Sequence, residues 1–256
     1  MCLIVFSVLE HTDYPIIFAG NRDEFHGRPT ERAHFWDDTD LLAGRDLKAG
    51  GTWLGVTRSG RFATVTNFRE PGEHRPGART RGKLVTGFLK GDVDARSYME
   101  RIDDRAGDYN GFNLILGDAG GLFYLSNRDG SLRILEPAVY GLSNGWLDTP
   151  WPKVRRAKAL FEDVLRSRSL APAPLLELLR DDWRPRDEDL PKTGLEPAVE
   201  RTASSIFISD PGYGTRASTV VLLDRNGGVT FVERSFGPDG EDLGTASFRF
   251  DVESAP

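Results

Sequence analysis

Cysteine is nearly absent from this chain: 256 residues contain one, at position 2. A single thiol rules out an internal disulfide framework, so nothing points to secretion. Long apolar runs are missing as well. The first, Cys2 to Leu9, is too short to span a bilayer. It has no basic segment ahead of it and meets Glu10 at once, which argues against a signal peptide. Position 2 is not glycine, so the myristoylation signal is absent. There is no basic block, and the formal net charge is −6, which argues against nucleic acid as a partner. His11, His26, His34 and His74 show none of the zinc-binding spacings, and Gly50-Gly51 and Gly120-Gly121 lack the rest of a phosphate loop. No Gly-x-Ser-x-Gly elbow occurs, and there is neither an internal repeat nor a low-complexity segment. What remains is 39% hydrophobic and 28% charged, ordinary for a globular chain. We expect a single domain over 1–256 in the cytoplasm or an organelle matrix. It has no transmembrane segment, no metal site and no required cofactor.

The position of the lone cysteine is the most informative feature present. Removing Met1 would place a thiol and a free α-amine on one residue. The amine has a pKa near 7.7–8.0 and the thiol near 8.5, so the amine accepts the thiol's proton close to neutrality. Nucleophile and general base then share Cys2, the N-terminal-nucleophile arrangement. The plainer reading is a small buried hydrophobe opening a strand.

The apolar runs Cys2–Leu9 and Ile16–Ala19 read as two strands, antiparallel because the His11–Pro15 turn between them is short. A polar cluster, Gly20 to Glu24, follows. After a stretch of low periodicity, Gly50–Val56 and Arg61–Asn67 form a hairpin around Arg58-Ser59-Gly60. Arg81–Leu89 and Asp94–Ala106 read as helices, and Phe112–Leu116, Leu122–Leu125 and Leu132–Leu135 as strands. Thr149 is the expected N-cap, and Pro150 the first residue, of a helix running to about Ser167. Lys153, Arg155, Arg156 and Lys158 are its solvated face. A further helix covers Pro174–Trp183, and 182–200 reads as a loop or insertion. Strands return at Ser205–Ser209, Ser218–Leu223, Val229–Arg234 and Ser247–Val252. The order predicts an α+β fold, a four-layer αββα sandwich of two antiparallel sheets flanked by helix pairs.

If the first two strands pair, Arg22 and Asp23 lie beside Cys2. The arginine favours thiolate, and a carboxylate holds the α-ammonium or orients the arginine. Asn144, in Tyr140–Gly145, is a candidate oxyanion donor. Arg216 is a candidate to bind a substrate carboxylate or support the thiolate. Arg22, Arg45, Lys48, Arg69 and Arg79 are candidates for a local basic cleft. Trp53 is a candidate wall of a ligand pocket.

Met-Cys-Leu-Ile-Val-Phe, Asn21-Arg22-Asp23-Glu24-Phe25 with Arg28-Pro29, Gly50–Gly55, Thr66-Asn67, Arg79–Gly82, Tyr109–Leu114, Tyr140–Asn144, Tyr213–Arg216 and Phe231–Arg234 together resemble the NRDE family. The match runs nearly end to end. The resemblance implies an N-terminal-nucleophile-hydrolase-like fold. By likeness to bile-salt and penicillin amidases it implies Cys2, Arg22, Asp23, Asn144 and Arg216 as catalytic residues. Asn21, Glu24, Trp53, Asn67 and Arg79 are the matching candidates for substrate contact. The amidases separate their Arg and Asp by two residues, whereas Arg22 and Asp23 are adjacent, so either Asp23 or Glu24 faces Cys2. The family is linked to haem mobilisation and to acyl-CoA and lipid homeostasis. Two functions are therefore expected. One is a cysteine hydrolase acting on a small acyl amide or thioester. The other is a non-catalytic protein that binds haem or acyl-CoA in the same cleft.

Overall fold

The computed structural model describes residues 2–37, 39–130, 132–167 and 170–253. Its strands form two sheets in which every ladder is antiparallel. In chain order the elements are β1 (Cys2–Val8), β2 (Ile16–Phe25), β3 (Thr30–Phe35), β4 (Leu41–Asp46), β5 (Leu54–Thr57), β6 (Phe62–Asn67), α1 (Gly82–Leu89), α2 (Ala95–Asp103), β7 (Phe112–Asp118), β8 (Gly121–Ser126), β9 (Arg133–Ile134), β10 (Ala138–Leu142), α3 (Pro152–Leu165), α4 (Pro172–Leu178), α5 (Pro197–Ala203), β11 (Tyr213–Leu223), β12 (Gly228–Phe236) and β13 (Asp242–Asp251). One sheet has the order β10-β1-β2-β11-β12-β13 and the other runs β3 through β9 in sequence.

Strand alternation explains the layers. Along β1, Leu3 and Val5 pack with Val154, Ala157 and Phe161 of α3. Ile4, Phe6 and Val8 pack against Leu54, Phe62 and Ile115 of the facing sheet. In that second sheet, Leu114 and Leu116 turn outward onto Val85 and Phe88 of α1 and Met99 of α2. Each central strand is thus covered on both faces, which is why β1 and β7 read as continuous apolar runs. The order of layers is helix pair, sheet, sheet, helix pair, the expected αββα sandwich.

Several boundaries differ from expectation. The polar cluster does not leave the sheet. β2 continues through it to Phe25 because β1 supplies a partner on one edge and β11 on the other. β3 and β4 lie inside the stretch that shows no periodicity, and β3 is an edge strand whose ladder slips between Glu31 and His34. β10 was hidden in Ala138–Leu142, a short edge strand with glycine and tyrosine. The long helix starts at Pro152 rather than Pro150. A proline forces the residue before it out of the helical region, and Trp151 accordingly has ψ 147°. Thr149 Oγ1 donates instead to the Trp146 carbonyl, at 2.8 Å. The next helix is Pro172–Leu178 rather than Pro174–Trp183. Within 182–200, expected as a loop, the first residues of α5 appear. The apolar segment 205–209 joins no ladder. Its backbone is satisfied by Asn21 Nδ2, which donates to the Ile206 carbonyl, and by Thr215 Oγ1, which accepts from the Ile208 N–H. No helix among the described residues is long and apolar enough to cross a membrane.

Candidate active site

The β1–β2 ladder sets Cys2 directly across from Arg22. From there the alternation of β2 divides its four polar residues. Arg22 and Glu24 lie on the side of the facing sheet, in line with Phe18 and Gly20. Asn21 and Asp23 lie on the helix side, in line with Ile17 and Ala19. A cleft of about 140 Å³ opens where β1 begins, lined by Cys2, Arg22, Asp23, Glu24, Arg28, Asp46, Trp53, Asn67 and Arg81 among others. Cys2 is half-buried at its floor. Burial pushes the thiol pKa up and the charge of Asp23 pushes the same way. A hydrogen bond from the Asp23 backbone N–H and the charge of Arg22 oppose them. The Cys2 carbonyl accepts from Ser143 Oγ at 2.8 Å.

The far wall comes from the second sheet. The guanidinium of Arg22 stacks over the indole of Trp53, 4.3 Å from the ring centroid, and Nη1 donates to Thr30 Oγ1 at 3.2 Å. Trp53 reaches this position across Gly44, where a Cβ would lie 2.3 Å from Cη2 of the indole. The loop before it passes against the start of α1, where a Cβ on Gly51 would lie 2.6 Å from the Gly82 carbonyl carbon. Two bare α-carbons therefore let the Gly50–Trp53 segment and Arg81 close on the cleft.

Asp23 meets a different environment. It accepts from Thr215 Oγ1 at 2.8 Å, and its carbonyl accepts from Tyr213 Oη at 3.0 Å. Burial raises its pKa, while the charge of Lys153 and the Thr215 hydroxyl hold it down. Lys153 is only 2% exposed, and its Nζ has no hydrogen-bond partner among the described residues. Burial lowers its pKa to about 8, against the pull of Asp23. The expectation of a solvated Lys153 is thus corrected. Lys153, Ala157 and Phe161 are spaced by four and share the inward face of α3, a signal that its charge concealed.

The remaining sequence candidates are placed as follows. Asn21 donates to the carbonyls of Leu179 and Ile206 and accepts from Ser218 Oγ, so its amide ties β2 to the helix layer. Asn144 is buried and donates to the Asn67 carbonyl at 2.8 Å. Thr66 Oγ1 holds the neighbouring Ser143 carbonyl and Asn113 holds that of Gly145. This segment pins the two sheets together beneath the cleft and does not line it. Arg216 sits at the irregularity in the β2–β11 ladder, and its guanidinium donates to the carbonyls of Phe25, His26, Arg28 and Phe236. Arg79 is exposed beside Asp108. The expected basic cleft is dispersed: Arg45 stacks on Trp36, Arg69 pairs with Glu200, and of that group Arg22 alone lines the cleft. Arg28 and Arg81 take the vacant roles. The sequence signals for them were Arg28-Pro29 after the polar cluster and an arginine opening a helix. Both Asp23 and Glu24 line the cleft, but Glu24 is directed to Arg28 at 3.7 Å and to the Phe25 N–H. Met1 lies outside the described residues. A larger cavity of about 380 Å³, at the other end of β1 near Val8, Phe62, Leu122 and Leu135, is mostly apolar and holds no comparable polar set.

The family model for Transport and Golgi organisation 2 matches residues 1–238. The chain belongs to that family. A human relative, the Transport and Golgi organization protein 2 homolog, is 38% identical over 99% of this chain and 100% of its own length. The Drosophila melanogaster protein of that name is 30% identical over 94% of this chain and 95% of its own. Among solved structures, a Caenorhabditis elegans N-acylethanolamine-hydrolyzing acid amidase ortholog superposes with TM-score 0.51. It is 13% identical and covers 86% of this chain and 92% of that chain. A C2A mutant of the conjugated bile acid hydrolase from Clostridium perfringens gives TM-score 0.50 at 9% identity, covering 97% and 92%. The Transport and Golgi organisation 2 family therefore has, in this member, an N-terminal-nucleophile-hydrolase-like fold.

Proposed function

We propose that this chain is a cysteine N-terminal-nucleophile hydrolase acting on a small acyl amide or thioester. The observation that carries the reading is the company of Cys2. Its sulfur lies in a cleft with Arg22 across the ladder and the Asp23 N–H beside it, and no histidine is among the residues lining that cleft. A thiol whose pKa is pushed up by burial needs a base. The candidate is its own α-amine, once Met1 is removed.

In this scheme the amine takes the thiol proton and the sulfur attacks the substrate carbonyl, forming a C–S bond. The oxyanion accepts from the side-chain amide of Asn67, which lines the cleft, while Asn144 holds the Asn67 backbone. The ammonium then protonates the leaving nitrogen or sulfur as the C–N or C–S bond breaks. Water hydrolyses the acyl-cysteine by the reverse proton path. Asp23 holds the ammonium, and Arg22 favours the thiolate. At about 140 Å³ the cleft is below the roughly 300 Å³ at which drug-sized pockets begin. That size favours a short acyl group over a haem.

The rival, ligand binding without turnover, draws on burial's upward push on the thiol pKa, which disfavours the thiolate. Intact-mass measurement after exposure to a panel of short acyl amides and thioesters separates the two. The hydrolase reading expects loss of Met1 and an acyl adduct on Cys2 that disappears in Cys2→Ala. Retained Met1 with no adduct across the panel overturns it.

A further inference from the structure

The cleft lining carries three guanidiniums, Arg22, Arg28 and Arg81, and three carboxylates, Asp23, Glu24 and Asp46, of which Asp23 lies on the helix side of β2 and accepts from Thr215 Oγ1. Arg28 engages the other two. Its Nε and Nη2 each lie 2.8 Å from Asp46 Oδ2, and its Nε lies 3.7 Å from Glu24. Asp46 also accepts the N–H groups of Lys48 and Ala49. Among the described residues neither Arg22 nor Arg81 has a carboxylate within ion-pair distance, although Glu24 and Asp46 act on Arg22, and Glu70 and Glu24 on Arg81, from farther off. Arg22 is 6% exposed and makes one hydrogen bond, to Thr30 Oγ1. Arg81 donates to the Gly111 carbonyl at 3.0 Å. Stacking on Trp53 occupies the face of the Arg22 guanidinium and leaves in-plane N–H groups at its edge. Burial lowers the pKa of both arginines against the pull of these acids, so loss of water outweighs the carboxylates within reach.

We infer that Arg81, together with Arg22, forms a binding subsite for the carboxylate or phosphate of an anionic acyl substrate, seated beside Cys2. The inference rests on the proposed function for the words acyl substrate, but the binding itself requires no turnover. Two guanidiniums lining one small cleft match an oxyanion that accepts several N–H groups at once. The same arrangement penalises a neutral ligand, which would cover the buried Arg22 and the half-buried Arg81 without supplying an anion to either.

The test is equilibrium titration of Cys2→Ala protein at constant ionic strength. Three probes are used: inorganic phosphate, N-acetylglycine and its neutral twin N-acetylglycinamide. N-acetylglycine is expected to bind at least about tenfold more tightly than the neutral twin, the scale of one charge-assisted hydrogen-bond pair. Arg81→Met is expected to bring that ratio to about one, and Arg81→Lys to restore part of it. Arg45→Met, on the Trp36 ring outside the cleft, is expected to leave it unchanged. Phosphate binding tighter than N-acetylglycine assigns the subsite to phosphate; the reverse assigns it to carboxylate. Equal affinity for charged and neutral twins overturns the inference, as does a ratio that survives in both Arg81 variants. Because the readout is binding without Cys2, failure of hydrolysis leaves the subsite standing. Hydrolysis of a neutral amide by a protein that binds no anion removes the subsite alone.

Discussion

The side-chain amide of Asn144 donates to the backbone carbonyl of Asn67 at 2.8 Å, joining the segment after β10 to the end of β6 beneath the cleft. Asn144 thereby sets where Asn67 stands. Asn144→Ala is expected to cost about 1–3 kcal/mol, the penalty of leaving buried polar groups unsatisfied, read from urea unfolding. Asn67→Ala, at an exposed side chain, is expected to leave stability nearly unchanged. It should slow acylation of Cys2 by about 10²-fold, as for loss of one oxyanion donor. Equal effects of the two substitutions on both readouts would remove the division of labour.

Trp53 and Gly44 are coupled sterically. A Cβ at position 44 would meet the indole at 2.3 Å, so Gly44→Ala is expected to destabilise by about 1–3 kcal/mol through overpacking. In a Trp53→Ala background the same change should cost little. A double-mutant cycle by denaturant unfolding measures the coupling, and additive effects would show that the ring moves aside freely.

The lowered pKa of Lys153 has a definite pH signature. The folded value is about 8 and the unfolded value about 10.4, so the unfolded chain binds more protons between these limits. Stability contributed by this group therefore rises as pH climbs from about 8 to 10.4, and a penalty of roughly 3 kcal/mol is present below pH 8. The slope of wild type minus Lys153→Met over that window should show the rise. Asp23, Arg69, Cys2 and Glu200 surround the amine, and tyrosines titrating nearby cancel in the difference. A flat difference would place Lys153 in water.

Glu233 behaves in the opposite sense. It accepts from the Ala33 N–H at 2.8 Å and from Thr219 Oγ1 at 3.3 Å, yet burial raises its pKa to about 6. The folded state binds the extra proton, so this group's contribution falls as pH rises from about 4.3 to 6. Glu233→Gln is expected to be the more stable protein above pH 6, by up to about 2 kcal/mol. The gain should vanish near pH 4, as read by thermal unfolding across the range.

The hairpin that brings Arg22 to Cys2 was legible because Cys2–Leu9 and Ile16–Ala19 are apolar on both faces and joined by a short turn. β3 was not, since an edge strand with Glu31 and Arg32 exposed and a slipped ladder carries no clean period. β10 hid for a similar reason. Residue charge misled at Lys153. Lys153 was assigned to solvent by its charge although its helical position is inward. Arg216 was a site candidate from its loop position and the family resemblance, and that four carbonyls accept from its guanidinium was not legible in either. Which face each of Asn21–Glu24 presents could not be read while the second strand was expected to end at Ala19. Once β2 is known to run through the cluster, alternation decides the matter.

Because β1 begins at the cleft, the residue that the proposed chemistry uses is also the one to which any upstream extension is joined. In the proposed mechanism, a purification tag or fusion partner joined ahead of Cys2 would cap the amine that serves as the base. Preparations made that way would test ligand binding but not the proposed hydrolysis. A tag after β13, or one removed to leave Cys2 first, is the form in which activity has to be sought.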